Sequence, residues 1–153
     1  MEFSEFDSHA TTMNKKEINI IIKECYPKIS GYYSAKYPEV EIHNNIYERL
    51  SGVKGMSGSS CAQGEYDWSE NKIYLYSSRL NTLEEVVRTL IHECVHSTQD
   101  KDIFDKLYEE GYTYHTHPYE AEARHAETTW KRFVSEELKL KLINKKLVRW
   151  KDI

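Results

Sequence analysis

The 153-residue chain has only three cysteines, Cys25, Cys61 and Cys94. Their odd number and wide spacing exclude both a disulfide framework and a C-x-x-C zinc site, and they point to a reducing, cytoplasmic setting. There are three prolines and six glycines, too few for a collagenous or low-complexity chain. No apolar run reaches the roughly 20 residues that a membrane span needs. The first residues, MEFSEFDSHATTMNKKE, have neither a basic stretch nor an apolar one, so no secretory signal is expected. Basic residues do not exceed acidic ones: Lys+Arg number 21 against Asp+Glu 25, a formal charge of −4. Such a balance supplies no overall field to attract nucleic acid or an anionic membrane. Gly-rich phosphate loops, nucleophile elbows and EF-hand loops are all missing.

What is present is a soluble composition, 39% hydrophobic and 30% charged, of a size for one domain. Residues 1–13 show little periodicity and are expected to be flexible. From Asn14 a helix is predicted. Asn14 and Glu17 have capping-box spacing, and Ile18, Ile21, Ile22, Cys25 and Ile29 recur at helical intervals. Pro27 is expected to kink or shorten it, and Gly31 to weaken its end. Val40 and Ile42 alternate with polar neighbours as a short strand. Residues 51–60 (SGVKGMSGSS) form a loop. Two further strands are predicted over 61–68 and 72–76, joined by a turn at 69–71.

The clearest helix begins at Asn81 or Thr82 and should run to about Gln99, with Leu83, Val86, Val87, Leu90, Ile91 and Cys94 in one apolar stripe. A short helix and Gly111 follow. Pro118 suits the first turn of a last long helix, on which Tyr119, Ala123, Ala126, Trp130, Phe133 and Val134 share a face. The lysine-rich ending, 139–153, alternates Lys and Leu and fits helix or strand. Strands and helices are segregated along the chain, which predicts an α+β fold: an N-terminal helix, a small three-stranded sheet and two main helices.

Two counts stand above background, seven histidines and 12 tyrosines. His92, Glu93, Cys94, Val95 and His96 spell H-E-x-x-H inside the best-defined helix. Residues four apart on a helix lie one turn above each other, so two imidazoles can hold one zinc ion from the same side. Glu93 is rotated by roughly 100° from His92. There its carboxylate can serve as general base toward a water without being a ligand. His92 and His96 lie opposite the apolar stripe, whereas Cys94 lies on it and belongs to the core.

A third ligand is expected from the segment starting at His117. Glu120 and Glu122 flank opposite edges of the Tyr119/Ala123/Ala126 face, and periodicity does not choose between them. Tyr112, Tyr114, His115 and His117 are candidates to donate to an oxyanion.

The residues Thr89-Leu90-Ile91-His92-Glu93-Cys94-Val95-His96-Ser97-Thr98-Gln99, followed by Pro118-Tyr119-Glu120-Ala121-Glu122-Ala123, resemble the zincin metallopeptidases, specifically the gluzincin type and small phage and bacterial zincin-like proteins. The resemblance spans roughly 65–130. It implies a minimal zincin-like fold over 1–153, with a zinc cofactor bound by His92, His96 and Glu120 on a C-terminal helix, and Glu93 as catalytic base. It also implies that Lys72–Tyr76 is the edge strand of the substrate cleft. His117 and His125 are the remaining alternatives for the third ligand. The Asp that gluzincins place four residues after the ligand Glu is Arg124 here, leaving Gln99 and Asp100 as substitutes for orienting a histidine. The implied activity is zinc-dependent hydrolysis of a peptide or protein substrate in the cytoplasm, of the host if the chain is viral. A non-enzymatic, zinc-stabilised accessory protein on the same scaffold is the rival reading, and a DNA-associated protease using the basic tail is a third.

Overall fold

Asn14 and Glu17 fix where the first helix starts. The Asn14 side-chain oxygen accepts from the Glu17 N–H at 2.9 Å, and the Glu17 carboxylate accepts from the Asn14 N–H at 3.0 Å. This reciprocal cap satisfies two of the backbone donors that a helix start leaves free. Helix α1, Lys15–Tyr33, follows in the computed structural model, which describes residues 13–33, 36–56, 58 and 60–144. Pro27 does not shorten α1. It forfeits one backbone bond, but Ile18, Ile21, Cys25 and Ile29 bury a continuous stripe against the rest of the core, and that packing carries the helix on to Tyr33. Met13 is also ordered, contrary to expectation. It is buried and its N–H donates to the Leu80 carbonyl at 2.8 Å. The rest of the segment expected to be flexible, 1–12, lies outside the described residues.

Strand β1 is Glu39–His43. A short helix α2, Ile46–Ser51, then appears where none was expected. Asn45 caps it by accepting the Glu48 N–H at 2.8 Å, and Gly52 ends it in the left-handed conformation at φ 72°. Strand β2 is Gly64–Asp67, shorter than the predicted 61–68, and β3 is Lys72–Tyr76. The Asp67 carboxylate closes the turn between them by accepting the N–H groups of Ser69 and Glu70 at 2.8 and 3.0 Å.

The sheet order is β1-β3-β2, with β3 parallel to β1 and antiparallel to β2. Lys72–Tyr76 is therefore the central strand and not the edge. Its residues from Ile73 to Tyr76 are all buried, as a strand flanked on both sides requires. The outer strands are β1 and β2, and β2 is the one that lies beside the helix Leu83–His96.

A 3-10 turn, Ser77–Arg79, leads into helix α3, Leu83–His96, capped by Thr82. Ser97, Thr98 and Gln99 extend it in tight i→i−3 bonds. Its apolar stripe is buried as predicted, Cys94 included, and α3 packs on α1, on β2 and β3, and on the helix carrying Glu120. All three cysteines are free. Helix α4, Lys101–Glu109, starts at the cap Asp100.

Helix α5, Pro118–Glu127, begins with Pro118 as expected but stops sooner. The hydroxyls of Thr128 and Thr129 donate to the carbonyls of His125 and Ala126 at 2.7 and 2.8 Å, taking up its last acceptors. Trp130–Phe133 is a 3-10 turn, and helix α6, Glu136–Asn144, follows. The helix that carries Glu120 is thus not the C-terminal one. The lysine-rich ending is helical as far as it is described; Lys145, Lys146, Arg149, Trp150 and Lys151 lie outside the described residues. Among the described residues, no helix is long and apolar enough to cross a membrane. Among the described residues, six α-helices and a small three-stranded sheet make the fold α+β.

One glycine sets how closely β2 approaches α3. A Cβ added at Gly64 would meet the Thr89 methyl at 2.7 Å and the Tyr74 carbonyl oxygen at 2.8 Å. The second contact is backbone of the partner strand and cannot swing away. Gly64→Ala should therefore force β2 off the helix and cost about 1–3 kcal/mol. Denaturant unfolding measures this directly. An unchanged midpoint would show that β2 is not held by close approach at Gly64.

Candidate metal centre

His92 and His96 stand one turn apart on α3, their ring centroids 4.8 Å apart. Both are almost fully buried. Helix α5 crosses α3 so that Glu120, in its first turn, points between the rings. Glu120 Oε1 lies 3.0 Å from His92 Nε2 and 2.9 Å from His96 Nε2. One ligand atom from each of the three residues falls within 4.8 Å of the other two. This buried group could hold a metal ion. Two imidazoles and a carboxylate form a suitable donor set, and three protein ligands leave a further position open.

The remaining nitrogens and oxygens of the group are engaged behind it. His92 Nδ1 donates to Glu127 Oε2 at 2.6 Å, and His96 Nδ1 donates to Gln99 Oε1 at 2.7 Å. Donation from Nδ1 turns each Nε2 toward the centre. Gln99 is itself fixed, its amide donating to the Tyr119 carbonyl at 3.0 Å and to Glu122 Oε1 at 2.7 Å. Glu120 Oε2 accepts the Tyr108 hydroxyl at 2.9 Å.

The arrangement decides among the alternatives for a third partner. Glu122 is exposed and spends its carboxylate on Gln99. His117 is buried, but both ring nitrogens are used: Nδ1 accepts the Tyr119 N–H at 3.1 Å and Nε2 donates to the Phe104 carbonyl at 2.9 Å. His117 is the cap of α5. His125 is exposed and outside the group. Of the two substitutes for orienting a histidine, Gln99 takes the role, whereas Asp100 caps α4. Arg124 holds the preceding loop by donating to the Tyr114 and His115 carbonyls at 2.9 and 3.0 Å.

Sequence reasoning missed Glu127, Tyr108 and Arg88. Glu127 lies two helical turns after Glu120, hence on the same face of α5, and that periodicity was the available signal. Arg88, one turn before His92, places its guanidinium 3.7 Å from Glu127 Oε1 and 2.8 Å from Glu84.

Electrostatics match the geometry. Burial works against a charged His92 ring, but its bonds to Glu120 and Glu127 outweigh it and push the pKa up to about 10. Burial also opposes charge on His96, whose pKa is likewise raised by Glu120. Burial would raise Glu120, yet the two histidines hold it well below the usual carboxylate range. The Glu120 carboxylate thus favours charge on both rings, its Oε1 lying between the two Nε2 atoms. Glu93, 8% exposed, is different: burial raises its pKa, only partly offset by His92 and His96. It is a carboxyl poised to take up a proton.

The group opens on a cleft of about 710 Å³ between β2 and α3. Glu93 lines it, as does Tyr114, whose ring stacks on His92 at 6.4 Å and 19°. Tyr112, His115 and His117 do not line the cleft.

Truncating Glu127 tests the outer shell. Glu127→Ala should weaken metal binding about 10- to 100-fold, since His92 loses the partner that aims Nε2. A competition titration against a chromogenic chelator reads this, and an unchanged affinity would remove Glu127 from the centre. Compared with protein-family models, with curated proteins and with solved structures, the chain matches none.

Proposed function

We propose that this chain is a zinc-dependent metallopeptidase that hydrolyses peptide bonds in a peptide or protein substrate. One observation carries the reading: His92, His96 and Glu120 meet within 4.8 Å, with the buried Glu93 carboxylate beside them in an open cleft. The donor set of two imidazoles and one carboxylate suits zinc. Zinc held there would polarise a substrate carbonyl and lower the pKa of a water molecule, so that its proton is readily given up as the oxygen attacks.

The chain's own residues supply the rest. Glu93 takes the attacking water's proton on its carboxylate and returns it to the leaving nitrogen. Glu127 and Gln99 hold the two rings in register. Tyr114, over His92 and facing the cleft, is placed to donate to the oxyanion. The outer edge of β2 offers backbone groups to an extended peptide, and its place beside α3 brings that peptide past Glu93.

The test combines metal content with turnover. Purified protein should carry one zinc and cut a peptide library; 1,10-phenanthroline should stop cleavage and added zinc should restore it. Bound zinc with no cleavage of any peptide would overturn the peptidase reading and leave the zinc-stabilised accessory protein. No bound zinc would overturn both.

A further inference from the structure

Six charged side chains line the cleft, and five of them are already committed. Glu120 and Glu127 bind the histidines, and Glu93 is the buried base. Glu65 pairs with Arg49 at 3.5 Å. Glu85 accepts the Asn81 N–H at 2.7 Å at the start of α3. The sixth is Arg79. Its guanidinium has no hydrogen-bond or ion-pair partner among the described residues. The backbone that presents it is firmly held. Ser78 N–H donates to the Asn44 carbonyl at 3.0 Å, the Gln63 amide donates to the Arg79 carbonyl at 3.2 Å, and Leu80 is fully buried.

The direction of the cleft says which part of a substrate Arg79 would meet. Strand β2 runs alongside α3 in the same sense. Gly64 abuts Thr89, and the Trp68 indole donates to the Gln99 carbonyl at 3.3 Å. A peptide added antiparallel to the β2 edge, the commoner pairing, would run from the Trp68 end to the Gly64 end. Its residues beyond the scissile bond would then lie toward Glu85 and Arg79. Glu85 lies about 10 Å from His92 along the helix axis. At roughly 3.3 Å per residue of extended chain, a partner for Arg79 falls about one to three residues past the scissile bond.

We infer that Arg79 anchors a substrate carboxylate on the leaving-group side of the cleft, either the C-terminal carboxylate or an Asp or Glu side chain. The direction assigned to the bound peptide rests on the peptidase reading. A guanidinium fork suits a carboxylate, and a divalent ion at the centre offsets the acidic groups that would otherwise repel it.

Binding tests this without requiring turnover. Zinc-loaded protein is titrated with tripeptides that carry a zinc-chelating succinyl hydroxamate on the N-terminus. One ends in a free carboxylate and one in an amide; two further amides carry Asp or Asn at the last position. The acidic ligands should bind about 3- to 10-fold tighter than their neutral matches, the range for a charge-assisted contact open to water. Arg79→Gln should erase that ratio, while the affinity of the neutral ligands and the zinc content stay unchanged. Arg79→Glu should invert it. Preference for the terminal acid alone identifies a C-terminal anchor; preference for Asp in the amide series identifies a side-chain subsite. Equal binding of acid and amide, preference surviving Arg79→Gln, or no hydroxamate binding at all would overturn the inference. Selective binding by a protein that cuts no peptide would leave Arg79 standing and defeat only the hydrolytic reading.

Discussion

Glu93→Gln should cut peptide hydrolysis by about 10²- to 10⁴-fold while zinc stays bound. The substitution keeps shape and volume and removes only the capacity to accept and return a proton. Glu93 is not among the three clustered ligand residues, so its loss leaves the metal group whole. It is also the carboxyl whose pKa burial raises, and therefore the one in the cleft suited to hold a proton between water attack and departure of the amine. Glu120, held far below the usual range by two histidines, cannot do this work. The experiment pairs zinc content by atomic absorption with initial rates on one cleaved peptide, since a rate loss accompanied by zinc loss would point to a damaged site. A variant that keeps its zinc and cuts within a few-fold of the wild-type rate would remove Glu93 from the chemistry, and with it the reading of the site as a metallopeptidase of this kind.

Helical periodicity made much of this centre legible. His92 and His96 at i and i+4 and the apolar stripe opposite them follow from 3.6 residues per turn, whereas the choice of Glu120 over Glu122 rests on the resemblance around Pro118 and not on periodicity. Glu127 is on the same face by the same rule, two turns after Glu120. Arg124 occupies the place one turn after Glu120 and serves a loop. What periodicity could not supply was any relation between strands. The pairing of β1 with β3, parallel and across an intervening helix and strand, is a long-range contact. The local pattern of Lys72–Tyr76 reads the same at the centre of a sheet as at its edge. Likewise, Pro27 and Thr128–Thr129 show local rules meeting tertiary ones. Burial overrode a proline inside α1, whereas two threonine hydroxyls ended α5 at a place where the apolar face alone predicted continuation. The cap of α2 was readable from Asn45, Glu48 and Gly52, but six residues beside a Gly/Ser-rich stretch give too little periodicity to mark a helix.

His96→Ala should abolish stoichiometric zinc binding, a larger effect than the 10- to 100-fold expected from losing an outer partner. The ring is one of the three side chains that could hold an ion and has no local replacement, because His117 is committed to the cap of α5 and Glu122 to Gln99. Removing it also empties a site packed between Trp68 and Phe104, whose ring centroids lie 5.9 and 5.3 Å away, so metal loss has to be separated from misfolding. The pH dependence of stability does this. In the metal-free wild type, His92 has its pKa raised from 6.5 to about 10, so its contribution is full below about pH 6.5 and is lost as pH rises toward 10. Glu93, also raised, pulls in the same direction. Glu120, depressed, contributes above its usual range and loses that only on strong acidification. The melting temperature of metal-free protein should therefore fall between about pH 6.5 and about pH 10. With zinc bound, the rings are neutral ligands throughout, and that fall should disappear. His96→Ala should melt at the same temperature whether or not zinc is added. If the variant melts higher with zinc, as the wild type should, His96 is not a ligand; if metal-free wild-type protein gains stability as pH rises, the charge pairing of His92 and His96 with Glu120 is not what holds the empty site together.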